Sequence, residues 1–133
     1  MGPLIAKQKD DIFMARQFIA LVITAIMAFP GLAMEWHTPS AAKNLIGEVA
    51  TICGTVGSTR YAEETRGSPT YINLGPAFPD HVFTGVVWGS DREKFGKAPE
   101  ELSGMICVHG PVTEYRGVPQ IVITSPNQIS QGE

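Results

Sequence analysis

The feature that most constrains this fold is a pair of strand-like segments joined by a tight turn in the last third of the chain. The segments span residues 105–113 and 118–124, and their apolar residues recur at alternating positions: Ile106, Val108, Val112, Ile121 and Ile123. Alternation with a period of two is typical of strands that bury one face. The pattern therefore predicts a β-hairpin at the end of an all-β domain.

Three further strands are predicted upstream, at residues 47–58, 70–74 and 81–88. The first contains Gly54, where a β-bulge would let one long strand change direction and serve both halves of a sheet. Alternation within each strand then selects the inward positions. The predicted core contains Val49, Ile52, Val56, Ile72, Leu74, Ile106, Val108, Ile121 and Ile123.

A helical insertion is predicted between the third and fourth strands. Ser90 and Asp91 are residue types that cap helices, and Pro99 suits a first helical position. We expect a short helix over residues 92–95 and a second helical turn over residues 99–102. A glycine-bent first strand, two middle strands, a short helix and a closing hairpin are the parts of an OB fold, a five-stranded barrel. The predicted fold class is therefore all-β.

An uncharged apolar run at residues 18–29 precedes the predicted barrel. Lys7, Lys9 and Arg16 lie before this run, and Pro30 follows it. A basic region, about a dozen apolar residues and a helix break are typical of a secretory signal peptide. The run is shorter than the ~20 residues that span a bilayer. An uncleaved membrane anchor or a buried apolar helix is the alternative interpretation.

The signal peptide predicts export to the periplasm or the medium, with cleavage near Ala33 and no stable membrane association afterwards. Translation would start at Met1 or at Met14, because either leaves a basic segment before the apolar run. The predicted organisation has four parts: a signal peptide at 1–33, a leader at 34–45, an OB-fold domain at 46–129 and a tail at 130–133.

The chain has two cysteines, Cys53 and Cys107, and both follow the predicted signal peptide. An even number of cysteines in an exported chain favours a disulfide. The first and fourth strands of an OB barrel are neighbours, so the two residues would lie close together. Two small buried thiols are the alternative, because two cysteines on paired strands often miss the spacing that a disulfide requires.

Charge and motifs restrict the function classes. The chain carries 10 Lys and Arg against 13 Asp and Glu, a formal net charge of −3 at pH 7. This balance argues against strong non-specific binding to a polyanion but leaves room for a local basic patch. The three histidines have no metal-ligand spacing, and the sequence has no phosphate-binding glycine loop or nucleophile elbow. We therefore predict a protein without catalytic residues, metal or cofactor.

Aromatic and basic residues cluster where an OB barrel binds its ligands. That surface comprises the outer face of strands two and three and the loops between strands one and two and between four and five. Aromatic rings there stack on bases, and arginines contact phosphate. The candidate nucleic-acid-binding residues are Arg60, Tyr61, Arg66, Tyr71, Asn73, Trp88, Tyr115 and Arg116.

Six short stretches of the chain resemble a bacterial exported OB-fold module, in the same order. They are residues 51–56, 69–75, 83–84, 87–92, 104–108 and 115–121. That module occurs alone or beside the nuclease domains of secreted endonucleases of the thermonuclease-like or metallophosphatase type. The resemblance covers about residues 46–129 and implies an OB barrel that binds nucleic acid.

The function predicted from these observations is an exported, non-enzymatic module that binds single-stranded nucleic acid weakly. Two alternatives stay open. The first is a periplasmic module that binds a protein partner or a small ligand, and the second is an accessory subunit of a separate nuclease. Affinity that falls steeply with added salt would separate nucleic-acid binding from the first alternative.

Overall fold

The computed structural model of the chain describes residues 35–132, so the predicted signal peptide and its cleavage site lie outside the described residues. Six strands form one sheet: β1 (Val49–Tyr61), β2 (Thr70–Leu74), β3 (Phe83–Val87), β4 (Met105–Tyr115), β5 (Val118–Val122) and β6 (Ile129–Gln131). The strand order is β1-β2-β3-β5-β4-β6, and a further pairing of β1 with β4 closes the first five into a ring. Between residues 35 and 132 no helix is long and apolar enough to cross a membrane.

The ring closes because β1 changes partner along its length. Its first half, from Val49 to Thr55, pairs with β4, and its second half, from Val56 to Tyr61, pairs with β2. A register shift between Val56 and Ser58 marks the change, which places the bulge at Gly57. The prediction of a bulge at Gly54 was therefore wrong in position, although one strand does serve both halves.

Gly57 is required at this bulge by close packing. A side chain there would collide with the carbonyl oxygen of Gly75 and with the backbone of the following loop. Gly54 has a different role, because the ring of Pro39 occupies the space that its side chain would fill. Two glycines in one strand thus allow two separate close approaches, and only one of them bends the strand.

Part of the predicted leader packs on the ring. Pro39–Asn44 forms a 3₁₀ helix, and its Ala42 is fully buried in the core. Just before it, the backbone N–H of His37 donates to the Thr51 carbonyl, and its carbonyl accepts from the N–H of Cys53. These contacts add a short parallel bridge to the free edge of β1.

A disulfide joins β1 to β4 where the ring closes. Cys53 and Cys107 face each other directly in the register of the two strands and are bonded through their sulfur atoms. They are 54 residues apart in sequence. A cross-link that closes a loop of this length restricts the unfolded chain and stabilises the fold by about 2–4 kcal/mol. The alternative of two free buried thiols is therefore excluded.

Seven of the nine predicted core residues are fully buried: six lie on the inward faces of β1, β2, β4 and β5, and Ile123 directly follows β5. Val56 is half-buried against the core, and Val49 is 66% exposed. The prediction for Val49 was wrong because Ala50 and Ile52 set the inward parity of β1, so Val49 points outward. Phe83, which the pattern did not select, is fully buried in this core.

The segment between β3 and β4 contains two 3₁₀ helices, Gly89–Lys94 and Pro99–Glu101, in the region where a short helix and a second helical turn were predicted. Arg92 fixes the segment to the ring. Its guanidinium donates to Thr70 Oγ1 at 2.8 Å and to both carboxylate oxygens of Glu100 at 2.7 and 3.2 Å, and it lies 3.6 Å from the centre of the Tyr61 ring. The polar contacts of Arg92, together with the packing of Phe95 and Leu102 against the core, therefore hold this insertion.

The C-terminal residues add a strand that the sequence pattern did not predict. Gln128 organises this end: its amide donates to the carbonyls of His109 and Val122, and its carbonyl accepts from the N–H groups of Thr124 and Ser125. These bonds direct β6 alongside β4. The predicted tail at 130–133 therefore belongs to the sheet as far as Gln131.

We expect Ile121→Ala to lower the free energy of unfolding by about 2–5 kcal/mol, because it leaves a cavity in a fully buried site. Val49→Ala is the matched control, since Val49 is exposed and its truncation should change stability by about 0.5 kcal/mol or less. Urea unfolding of both variants measures the difference. Equal losses of unfolding free energy in the two variants would contradict the assignment of Ile121 to the inward face and Val49 to the outward face.

Glu100→Gln should destabilise the protein most at neutral pH. The hydrogen bonds from Arg92 hold the pKa of the Glu100 carboxyl below its usual value. The stabilisation by the charged pair is therefore complete above the unfolded glutamate pKa of about 4.3 and is lost as pH falls through the lowered pKa of the folded state. Urea unfolding should show that Glu100→Gln lowers the free energy of unfolding by about 1 kcal/mol at neutral pH and by less in acid. A difference in stability between the two proteins that does not change with pH would contradict the contribution of the charged pair.

Candidate functional site

A groove of about 730 Å³ crosses the outer face of the ring. We call it the outer groove, and it involves β1, β2, β3 and β5, the loop between β2 and β3, and the turn between β4 and β5. Its lining residues are Ser58, Thr59, Arg60, Tyr71, Asn73, Phe78, His81, Thr84, Tyr115, Arg116, Val118 and Gln120.

The floor of the outer groove is a row of polar residues that crosses four strands in register. Ser58 pairs with Asn73, Asn73 with Thr84, and Thr84 with Gln120. The Thr84 hydroxyl donates to the Asn73 carbonyl at 2.8 Å, and the Asn73 amide donates to the Ser58 hydroxyl at 3.1 Å. Asn73 and Thr84 are buried, so these bonds satisfy polar groups that would otherwise be costly.

Aromatic and basic side chains lie in the rows on either side of this floor. Arg60 and Tyr71 are paired in register on one side. On the other side, Tyr115 is 55% exposed at the end of β4, and the guanidinium of Arg116 lies 5.2 Å from the centre of its ring. Arg116 has a φ of +50°, which turns the chain sharply into β5 before Gly117.

The loop between β2 and β3 adds two more rings to the outer groove. Phe78 is 69% exposed, and its ring stacks on His81 with 5.4 Å between the centroids. The N–H of Phe78 donates to the Ser58 hydroxyl at 2.9 Å, which fixes the loop to the floor. The His81 Nδ1 atom is buried and has no hydrogen-bond partner.

The charge of the outer groove is opposite to that of the chain. Its lining includes two arginines and no carboxylate, whereas the chain has a net charge of −3. Arg60 is paired with Glu64 at 2.8 Å, and both side chains are about two-thirds exposed. A backbone hydrogen bond and the hydrogen bond from Arg60 lower the pKa of Glu64, so this partner is ionised at neutral pH. Among the described residues, Arg116 has no such ion pair.

Five of the eight candidate binding residues line the outer groove: Arg60, Tyr71, Asn73, Tyr115 and Arg116. Tyr61 does not share that face, because it follows Arg60 in β1 and consecutive strand residues point to opposite sides. Its ring lies under Arg92 instead.

Two further candidates also lie outside the groove lining. The ring of Trp88 covers Gly67, in the loop between β1 and β2, and Arg66 is exposed in that same loop. Arg66 belongs to the loop between β1 and β2, and Trp88 directly follows β3, whereas the outer groove reaches the loop between β2 and β3 and the turn between β4 and β5. The structure therefore does not bring Tyr61, Arg66 and Trp88 into the outer groove with Tyr71 and Tyr115, and their part in binding stays a prediction.

Sequence reasoning missed several lining residues: Ser58, Phe78, His81, Thr84 and Gln120. Gln120 could have been found, because it alternates with Ile121 and so must face outward from β5. Phe78 and His81 gave no such signal, since they belong to a loop without periodicity. Only the contact between this loop and Ser58 brings them to the groove.

The residues available in the outer groove restrict its chemistry. Within the described residues, no group of three or more His, Cys, Asp and Glu side chains is arranged to hold a metal ion. The lining contains no cysteine and no carboxylate, and His81 and Ser58 are among its residues of the types that serve as general bases or nucleophiles. Its aromatic rings, guanidinium groups and amides are suited to stacking and hydrogen bonding.

Comparisons with known proteins add one structural similarity. No family model matches the chain, and no curated protein matches it. Among solved structures, the chain is similar to one from Leishmania major Friedlin that is described as an aspartyl-tRNA synthetase, with 12% identity and a TM-score of 0.45. The similarity covers 86% of this chain and 25% of that one, so the chain spans about a quarter of that structure's length.

Proposed function

We propose that this protein is an exported, non-enzymatic OB-fold module that binds single-stranded nucleic acid in the outer groove. The observation that carries the proposal is the composition of the groove: stacking rings and two arginines, without a carboxylate, in an acidic chain. A local excess of cationic groups attracts phosphate even where the whole protein is net negative.

The strand topology supports the OB assignment. A ring in the order β1-β2-β3-β5-β4, closed by β1 and β4, has the five-stranded connectivity of that barrel. The outer groove lies over β2 and β3 and reaches the turn between β4 and β5, where OB barrels bind oligonucleotides. The disulfide supports export, because such bonds persist in oxidising compartments.

Stacking supplies most of the proposed binding energy. Tyr71, Phe78 and Tyr115 present rings to the outer groove, and each stacked base contributes about 1–3 kcal/mol. Every base has an aromatic face, so this contribution tolerates many sequences. The electrostatic contribution is small because only Arg60 and Arg116 are available and Glu64 already neutralises one of them.

This division of energy predicts micromolar affinity with a shallow salt dependence. Because Glu64 already neutralises Arg60, a single phosphate contact from Arg116 gives a slope of about −0.7 when the logarithm of the binding constant is plotted against that of the salt concentration. Fluorescence anisotropy with labelled DNA and RNA strands of about ten nucleotides measures both quantities. No anisotropy change at low salt would reject the proposal and leave a peptide or small ligand as the alternative for the same groove.

Tyr71→Ala and Tyr115→Ala should each weaken oligonucleotide binding by about 1–3 kcal/mol, because each removes a stacking surface. Trp36→Ala is the matched control, since Trp36 is 62% exposed but does not line the outer groove. The same anisotropy titrations compare the three variants. An equal loss in the control would mean that the aromatic residues act without a defined site.

Glu64→Gln should strengthen binding, because it frees Arg60 for phosphate. We expect a severalfold gain in affinity at low salt and a salt slope that is steeper by about 0.7. Glu63→Gln is the control: it removes the same charge from the neighbouring position without breaking the ion pair with Arg60. Equal gains in both variants would indicate a general charge effect instead of release of Arg60.

A further inference from the structure

Gln120 differs from the other residues on the floor of the outer groove. The side chain of Asn73 is hydrogen-bonded to Thr84 on one neighbouring strand and to Ser58 on the other. Gln120 continues the row on β5 and is half-buried. Among the hydrogen bonds of residues 35–132, none involves its side chain. The floor therefore ends in an amide whose two donors and one carbonyl acceptor are available to a ligand.

The position of Gln120 places this amide beside a stacking ring. Tyr115 pairs with Val118, and Gln120 lies two residues further along the same face of β5. Side chains in such a diagonal arrangement are about 7–8 Å apart, within the width of a nucleobase. A base that stacks on Tyr115 can thus direct one edge toward the Gln120 amide.

We infer that Gln120 hydrogen-bonds the edge of a base stacked on Tyr115 and gives the outer groove a preference for adenine. This inference rests on the proposed function. An amide forms two hydrogen bonds with a neighbouring donor and acceptor, as glutamine does with N6 and N7 of adenine. Adenine presents such a pair on both edges, through N6 with N7 and through N6 with N1, whereas the N7 edge of guanine presents two acceptors.

Thr84, the neighbour of Gln120 in the row, does not donate a hydrogen bond to the Gln120 amide. Its hydroxyl proton is committed to the Asn73 carbonyl. Asn73 in turn uses its amide on Ser58 and its carbonyl on Thr84, so both hydrogen-bonding ends of that side chain are engaged within the protein. Specificity in the row therefore depends on Gln120, and the other three residues maintain the shape of the floor.

The experiment compares two homopolymers of about ten nucleotides: one of adenine, and one of purine that lacks the 6-amino group. Both probes stack alike, so a difference between them reports the hydrogen bonds to N6. The protein should bind the adenine strand about tenfold more tightly. Gln120→Met, which keeps the length of the side chain, should reduce the difference to about twofold or less, and it should weaken the purine strand less than the adenine strand because purine keeps only the acceptor of the pair.

Thr113→Val is the matched control, because Thr113 pairs with Gln120 in register but does not line the outer groove. It should keep the full preference for adenine. Thermal unfolding of the variants confirms that each is folded.

Two results would overturn the inference. Equal binding of the two probes by the unchanged protein would show that the amide makes no base contact, and a preference that survives in Gln120→Met would assign it to another group. Either result leaves oligonucleotide binding itself intact. Failure to bind either strand at low salt would reject the proposed function together with the inference.

Discussion

The structure depends on the ability of one strand to pair with two others on different parts of its length. β1 pairs with β4 from Val49 to Thr55 and with β2 from Val56 to Tyr61, and its pairing with β4 closes the ring. The bulge at Gly57 supplies the bend, and the bond between Cys53 and Cys107 holds the closing pair together. Without this change of partner the sheet would stay open, and its apolar face would lack the second layer that buries it.

The same closure produces the outer groove. Because the ring brings β5 beside β3 in a parallel pair, the polar row that begins on β1 continues to Gln120 without interruption. The β4–β5 turn then carries Tyr115 and Arg116 to the side of the row opposite Arg60 and Tyr71. Residues that are up to 62 positions apart in sequence, from Ser58 to Gln120, thus share one surface through strand register.

Strand positions and most of the core could be predicted because alternation is a local signal. Ile72 lies between Tyr71 and Asn73, and the apolar residues Ile106, Val108 and Val112 share one parity, so these inward positions could be assigned. The prediction failed where the signal was absent or divided. Val49 and Ala50 are both apolar, so only the pairing with β4 decides which one faces inward. The last strand depends on five hydrogen bonds of Gln128, which lies in a segment that has no alternating apolar pattern.

The candidate site shows why net charge is a poor guide to what a small domain binds. Chain composition predicts repulsion of polyanions, but the carboxylates are distributed on other surfaces or paired, as Glu64 is with Arg60 and Glu100 with Arg92. At physiological ionic strength, charges more than about 8 Å away are largely screened. A ligand in the outer groove therefore meets the two arginines and the rings of the lining before it meets the acidic remainder of the chain, and the local arrangement decides the affinity.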